Sequence, residues 1–463
     1  MNCKNPYESI FSLTHRTRCE NPVILLAASM SSAPSQASTS PVQASGVSTG
    51  RYRVLVLASH VVQYASPLFR LLAKDPRLDV LVAYCSLLGA EPGLDPEFGR
   101  EIQWDMPLLD GYPWVHVDNK SLRPRLGHFF GLWNPGLWTL VRSGGFDAVV
   151  IYTGYMFASF WLVVLAAKSR RIPVIISTDS TTLQSREGKR WKEWIKPWVL
   201  RRVFSTVDVI MAASNAARTL AIDLGIREER IRIIRSGADK DAWVEGLRTC
   251  DRAAVRREWS IPEDAPVALY CAKLQAWKRP LDLLRAFAKT GVSTAYLVFA
   301  GDGPQRTELE AEVHKLGLEQ RVRILGFVNL SRLPCLYHAA DLFVVPSEYD
   351  PCPLVVTEAM FSGLPVVMSD AVLGRLEMVD PGSSGYLYPS GDVNALAAIL
   401  KRVLLSRPLL EQLKAGVSRQ MKSWTAEEFL DCWVGAVEAA VRLKQNPQES
   451  TDHRAGLHNS KST

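Results

Sequence analysis

From Arg51 to about residue 444 the chain alternates short runs rich in β-branched residues with longer stretches whose apolar positions recur at helical spacing. In the first half the runs are 53–59, 79–85, 147–153, 173–178, 208–214 and 230–237. In the second they are 267–273, 295–301, 321–328, 341–347, 364–370 and 385–392. Strands separated by helices predict parallel sheets covered by helices, so the expected fold class is α/β, with two successive Rossmann-like, doubly wound units. A polar stretch, 238–254, interrupts the series and predicts the junction between a first domain, 51–240, and a second, 241–424. A final helix is expected over 425–444. Residues 1–50, rich in Ser, Ala, Pro and Gln from 30 onward, and the polar 445–463 read as disordered ends.

One stretch competes with this reading. Ala148 to Ala167 is twenty uncharged residues, long enough to span a bilayer. Its β-branched start, Gly154 and helical continuation fit a buried strand, turn and helix better. The apolar run 21–29, behind Arg16 and Arg18, is too short, and its charged lead too long, for a good secretion signal.

Composition adds limits. With 47% hydrophobic and 22% charged residues the chain is neither wholly disordered nor an integral membrane protein. A net charge of +7 suits phosphorylated substrates or an anionic membrane surface, but is too small and too dispersed for nucleic-acid binding. The eight cysteines show no Cys-x-x-Cys pair and no metal-ligand spacing, and read as reduced thiols in a cytoplasmic protein.

Ligands of doubly wound folds bind beyond the carboxyl ends of the strands, so residues just after each strand are the candidates for chemistry. In the second unit these are Lys273 and Lys278, the "GDGP" turn at 301–304, Val328, Glu348, Asp350 and then Glu358. Pro351 and Pro353 keep Asp350 out of the following helix, while Pro353 suits its first turn. Glu358 then lies about five residues inside, about 7–8 Å along the axis. Two acids so placed can hold different parts of one ligand; carboxylates near a helix start are equally favoured by the helix dipole alone. "GDGPQR" is not a full dinucleotide fingerprint, and no Walker A motif occurs. "DKD" at 239–241 imitates a metal-binding Asp-x-Asp, but its place at the junction favours a solvated hinge.

The second half resembles the retaining glycosyltransferases of family four, the group 1 transferases, across roughly 265–405. The resemblance rests on "FAGDGPQRTELE", on the run from "RVRILGFV" through "DLFVVPSEYDPCPLVVTEAM" to "LPVVMSD", and on "GSSGYLYPSGD". It implies the GT-B fold, two Rossmann-like domains facing a cleft, with the final helix packing across both. It also implies a donor site of Lys273, Lys278, Phe327, Val328, Asp350, Pro353, Leu354 and Glu358. Glu358 would bind ribose hydroxyls and Asp350 sugar hydroxyls. Lys273 and Lys278 would steady the departing diphosphate, with no metal and no cofactor beyond a nucleotide-diphosphate-sugar co-substrate. The family usually has Glu where this chain has Asp350, and often Gly where it has Pro353.

A looser resemblance in the first half, through "SHVVQYASPLFRLL", "DPEFGREIQWDMPLLDGY" and "PVIISTDSTTL", puts His60, Gln63 and Tyr64 in a loop that would touch the acceptor or the donor phosphate, and Asp179 on the acceptor side; His60 is a catalytic candidate or a structural loop histidine. The expected activity is transfer of a sugar to a glycan, lipid-linked or small-molecule acceptor, as in polysaccharide biosynthesis. A sugar-nucleotide epimerase or a non-catalytic sugar-nucleotide binder are the alternatives. Residues 186–202 carry seven basic residues against two acidic ones, interleaved with Trp191, Trp194 and Trp198. Such a helix fits peripheral contact with a membrane, or one that packs its tryptophans inward.

Overall fold

The computed structural model describes residues 51–95, 100–183, 190–234, 240–351 and 353–445. The terminal segments, the apolar run 21–29, Asp239 and residues 186–189 lie outside these residues.

The first lobe is built on a seven-stranded sheet in the order β5-β2-β1-β6-β7-β8-β9, every pair parallel. Its strands are β1 (Tyr52–Ala58), β2 (Leu78–Tyr84), β5 (Trp114–His116), β6 (Ala148–Ile151), β7 (Val174–Thr178), β8 (Val209–Ala212) and β9 (Ile231–Ile233). A small antiparallel pair, β3 (Gly93–Asp95) with β4 (Arg100–Ile102), stands apart. β3, β4 and β5, three residues each, escaped the sequence reading because none carries a run of β-branched or apolar residues long enough to stand out. Helices α2 (Gly136–Ser143), α3 (Ala158–Ser169), α4 (Arg190–Thr206) and α5 (Asn215–Asp223) cover one face of the sheet. The stretch 148–167 is accordingly strand β6 and helix α3. Among the described residues no helix is long and apolar enough to cross a membrane.

The second lobe has a six-stranded sheet in the order β12-β11-β10-β13-β14-β15, again all parallel. Its strands are β10 (Val267–Cys271), β11 (Tyr296–Ala300), β12 (Val322–Gly326), β13 (Leu342–Val345), β14 (Val366–Ser369) and β15 (Gly385–Tyr388). Around it run α6 (Lys240–Arg248), α7 (Arg252–Glu258), α8 (Pro280–Thr290), α9 (Arg306–Lys315), α10 (Leu333–His338), α11 (Leu354–Phe361), α12 (Arg375–Met378), α13 (Val393–Leu404) and α14 (Arg407–Gln420). Beyond the second lobe, α15 (Ala426–Gln445) returns to the first. There Trp433, Val434, Val437 and Ala440 join Phe69 of α1 (Ser66–Lys74) in covering the other face of the first sheet.

Asp341, just before β13, organises the base of the second lobe. Its carboxylate accepts bonds from Arg252 and Arg256, both at 2.7 Å, and from the Val267 amide at 3.0 Å, where β10 begins. Burial alone raises its pKa, but the two guanidinium charges and the amide outweigh burial and hold it below the ordinary value.

Cys250 and Cys335 form a disulfide, correcting the expectation that all the cysteines are reduced thiols. The cause is tertiary. A Cβ on Gly246 of α6 would meet Pro334 of α10 at 3.0 Å, so the glycine lets the two helices close and brings together sulfurs 85 residues apart. Cys85 and Cys271 are free thiols.

Asp341→Ala should leave Arg256 buried without its counter-charge and destabilise the protein by about 3–5 kcal/mol. A urea midpoint unchanged from wild type would contradict this account of the lobe's base.

Candidate active site

Strand order reverses between β1 and β6 in the first sheet and between β10 and β13 in the second. The chain leaving β10 carries Lys273 and Lys278, and the chain leaving β13 carries Asp350. A backbone bond from Glu348 N–H to Trp277 O, 2.8 Å, ties these loops together. The 3-10 turn Ala276–Lys278 then presents Lys278, whose ammonium forms a largely buried ion pair with Asp350 and lies 4.4 Å from the centre of the Trp277 ring. Asp350 is itself held by its backbone, since its carbonyl accepts from Leu373 N–H at 2.9 Å. Lys273 is partly buried on the same loop, its carbonyl accepting from Tyr270 OH at 3.0 Å.

Pro353 stands one residue before α11, as its N-cap, and Leu354 opens the helix. Glu358 is its fifth residue. Part of this side chain reaches the surface, but the carboxyl group is enclosed, and burial pushes its pKa up to about 7, while a bond from Tyr337 OH at 3.1 Å opposes the rise. Beside it Cys271 is pushed up to about 12, first by burial and then by the Glu358 charge. Lys278 and Asp350 are thus in direct contact, and Glu358 lies in the same lobe against Tyr337 and Cys271. Trp277 and Tyr337 were not singled out from the sequence. Trp277 had a signal, its place beside Lys278, whereas Tyr337 lies on a separate helix and becomes visible only when α10 packs on α11.

The "GDGP" turn is shaped by close backbone approach. A Cβ at Gly301, where φ is +145°, would fall 1.9 Å from Ala272 O, so only glycine fits against the Lys273 loop. Phe327 and Val328 follow β12. The Phe327 ring packs on Trp104 of the first lobe with centroids 5.6 Å apart. Next to it Asn329 donates to Gln103 O at 2.8 Å, and Ser331 N–H donates to Asp105 at 3.2 Å. The two lobes are therefore latched beside the Phe327 segment.

On the first lobe His60 follows β1, its Nδ1 2.9 Å from Ser59 Oγ, and burial lowers its pKa so that the neutral ring dominates at pH 7. Gln63 is partly buried and Tyr64 exposed in the turn before α1. Asp179 is exposed beyond β7, on a loop whose Thr181 hydroxyl lies 3.5 Å from that of Tyr349, the neighbour of Asp350. Asn215 N–H, beyond β8, donates to Glu377 across the lobes at 2.7 Å. A cavity of about 300 Å³ between the lobes is lined by Asn215, Phe361, Gly374 and Glu377, and by none of the candidates named above. A second, about 490 Å³, opens beyond β2 and β5 with Glu91, His116, Asp118 and Lys120 on its walls. Among the described residues no group of three or more His, Cys, Asp or Glu side chains is arranged to hold a metal.

The sequence profile described as glycosyl transferases group 1 matches residues 251–419, and that of a glycosyl transferase 4-like domain matches 92–237. The chain belongs to the group 1 glycosyl transferases. Similar members include the 2-deoxystreptamine glucosyltransferase of Streptomyces kanamyceticus, 28% identical over 51% of this chain and 59% of that protein. The D-inositol 3-phosphate glycosyltransferase of Geodermatophilus obscurus is 33% identical over 52% of this chain and 54% of that protein. The chain thus spans a little over half the length of each. Among solved structures, HepE of Anabaena, crystallised with UDP and glucose, superimposes with a TM-score of 0.64 at 20% identity, over 84% of this chain and 100% of that one. The sucrose-phosphate synthase of Thermosynechococcus elongatus does so at 0.60 and 20% identity, over 87% and 100%. The likeness at this identity is one of fold, the GT-B architecture.

Because burial raises the folded-state pKa of Glu358 from 4.5 to about 7, the folded protein holds an extra proton between those values. The resulting stabilisation is full below the unfolded pKa and is lost as pH rises through 7, a swing on the order of 3 kcal/mol. Glu358→Gln should flatten that slope and melt higher than wild type at pH 8. Parallel pH dependence of melting in the two proteins would rule the assignment out.

Proposed function

We propose that this chain transfers a glycosyl group from a nucleoside diphosphate sugar to a hydroxyl-bearing acceptor in the cleft between its lobes. The observation that carries the reading is the Lys278–Asp350 ion pair at the strand-order reversal, within the same lobe as the enclosed Glu358. In the absence of donor, the ammonium of Lys278 is neutralised by Asp350. An arriving diphosphate takes over that charge and frees Asp350 to accept hydrogen bonds from sugar hydroxyls. Ionised Glu358 accepts from the ribose diol, and Phe327 and Val328 line the nucleobase. As the anomeric C–O bond breaks, its electron pair leaves with the diphosphate, and Lys273 and Lys278 stabilise the charge that grows there. The acceptor oxygen bonds to the anomeric carbon on the face the diphosphate leaves, and its proton passes to a departing phosphate oxygen. Configuration is thereby retained, and two fixed ammonium groups take the place of a metal.

His60, Gln63, Tyr64 and Asp179 form the acceptor side of this reading. The polar cavity beyond β2 and β5, with carboxylates and a lysine on its walls, supports a hydroxylated acceptor. The latch of Trp104, Asn329 and Asp105 across the lobes supports a closed cleft from which water, the competing acceptor, is excluded. UDP is the first nucleotide to test, because the structurally similar HepE was solved with it.

A panel of nucleotide sugars, screened by calorimetry and then by product formation with hydroxylated acceptors, tests the proposal. Lys278→Ala should lower kcat about 10²–10³-fold. Glu358→Ala should weaken donor binding about 10- to 100-fold. Turnover of donor without acceptor would favour epimerisation or hydrolysis, binding without any turnover a sensor role, and binding indifferent to both substitutions would remove the site.

A further inference from the structure

Helix α4 reaches the sheet with Leu200, Val203 and Phe204, all buried. Its tryptophans fall on the opposite side: Trp191, Trp194 and Trp198 are 61%, 84% and 63% exposed, at a spacing of three and then four residues that makes one stripe. The inward-packed alternative is therefore excluded. Arg201 and Arg202 continue the stripe, and the Arg202 guanidinium lies 5.1 Å over the Trp198 ring.

The same helical layer exposes more apolar surface. Leu165 of the neighbouring helix α3 is 58% exposed, and Phe130, in a 3-10 turn that packs against α3, is 67% exposed. Scattered single apolar residues need no explanation, but a stripe of indoles with further apolar residues on the same layer does.

Charge decides what covers it. From Asp118 to Asp179 the chain holds seven basic residues and three acidic ones, of which Asp118 pairs with Lys120 and Asp147 accepts from the Arg53 amide. Helix α4 has five basic residues against Glu193, and of these Arg201 and Arg202 are exposed beside the indoles. A basic face with outward indoles complements an anionic, amphiphilic surface: the rings settle at headgroup depth and the cations meet the phosphates.

We propose that the outer face of the α3–α4 layer docks on an anionic lipid bilayer. Helices in this lobe run antiparallel to the strands they cover, so Trp191 and Trp194 lie at the sheet edge where His60 and Asp179 emerge. Lys196 Nζ bonds to Thr182 O at 2.7 Å, tying the helix to the Asp179 loop. Docking in this pose brings the acceptor side of the cleft to the membrane surface, a consequence that rests on the transferase reading; the docking itself does not.

Full-length protein should co-sediment with vesicles of phosphatidylcholine and phosphatidylglycerol, not with phosphatidylcholine alone, and should release as salt screens the attraction. Trp194→Ser with Trp198→Ser should abolish most of the bound fraction. Arg201→Gln with Arg202→Gln should weaken partitioning about thirtyfold, at about one kcal/mol for each basic residue near the surface. These positions are exposed, so melting temperatures should hold, and the arginine pair serves if the tryptophan pair folds poorly. Wild type remaining in solution with anionic vesicles at low salt would overturn the proposal. So would full binding by both variants, or a wild-type dimer that the tryptophan variant dissolves, which would assign the face to a second copy of the chain. Nucleotide-sugar binding, measured without lipid, reports separately on the cleft.

Discussion

Right-handed crossovers constrain a parallel sheet that grows from its middle in both directions to send its helices to opposite faces, leaving a crevice at the carboxyl edge where the direction changes. Both sheets of this protein obey that constraint once, at β1/β6 and at β10/β13. The positions of His60, Lys278 and Asp350 follow from it, because each lies on the chain leaving a strand beside a reversal. These three residues are carried on loops at these edges, whereas Glu358 stands on helix α11, and the strands behind them are packed.

In the second lobe two carboxylates are housed by opposite means. Asp350 is compensated by a cation, the Lys278 ammonium. Glu358 has a hydroxyl, that of Tyr337, and a thiol close by, and its pKa rises to about 7 as the enclosed carboxyl resists ionisation. The difference matters for a phosphorylated ligand. In the transfer we propose, a diphosphate competes directly for the cation that neutralises Asp350, whereas a ribose diol offers Glu358 the hydrogen bonds that favour its ionised form. The two acids are close in sequence and chemically unalike in place.

The first lobe is asymmetric in a way the second does not share. One face of its sheet is closed by α1 and by α15, which returns after the second lobe is complete; the other is closed by α2 to α5. Closing the first face with α15 brings the chain back from the second lobe to the first. The second face keeps its apolar residues on both sides of the helices, inward for the core and outward along α4.

The alternation of β-branched runs and helical segments determined, without any tertiary information, an α/β chain with two doubly wound units, because period and burial are written locally along each element. The strand-end rule likewise drew attention to Lys273, Lys278, Asp350 and Glu358. What lay beyond the sequence depends on contacts between distant segments. The Cys250–Cys335 bond needed the close approach of α6 and α10. The partnership of Tyr337 with Glu358 needed α10 beside α11, and the latch of Trp104 on Phe327 needed the lobes to meet. The outward turn of the α4 tryptophans also came from the structure, since a mixed basic and aromatic helix offers two sides and only the packing of Leu200, Val203 and Phe204 on the sheet chooses between them. Sequence sets which elements form; the free energy of burying one face rather than another decides which side chains meet.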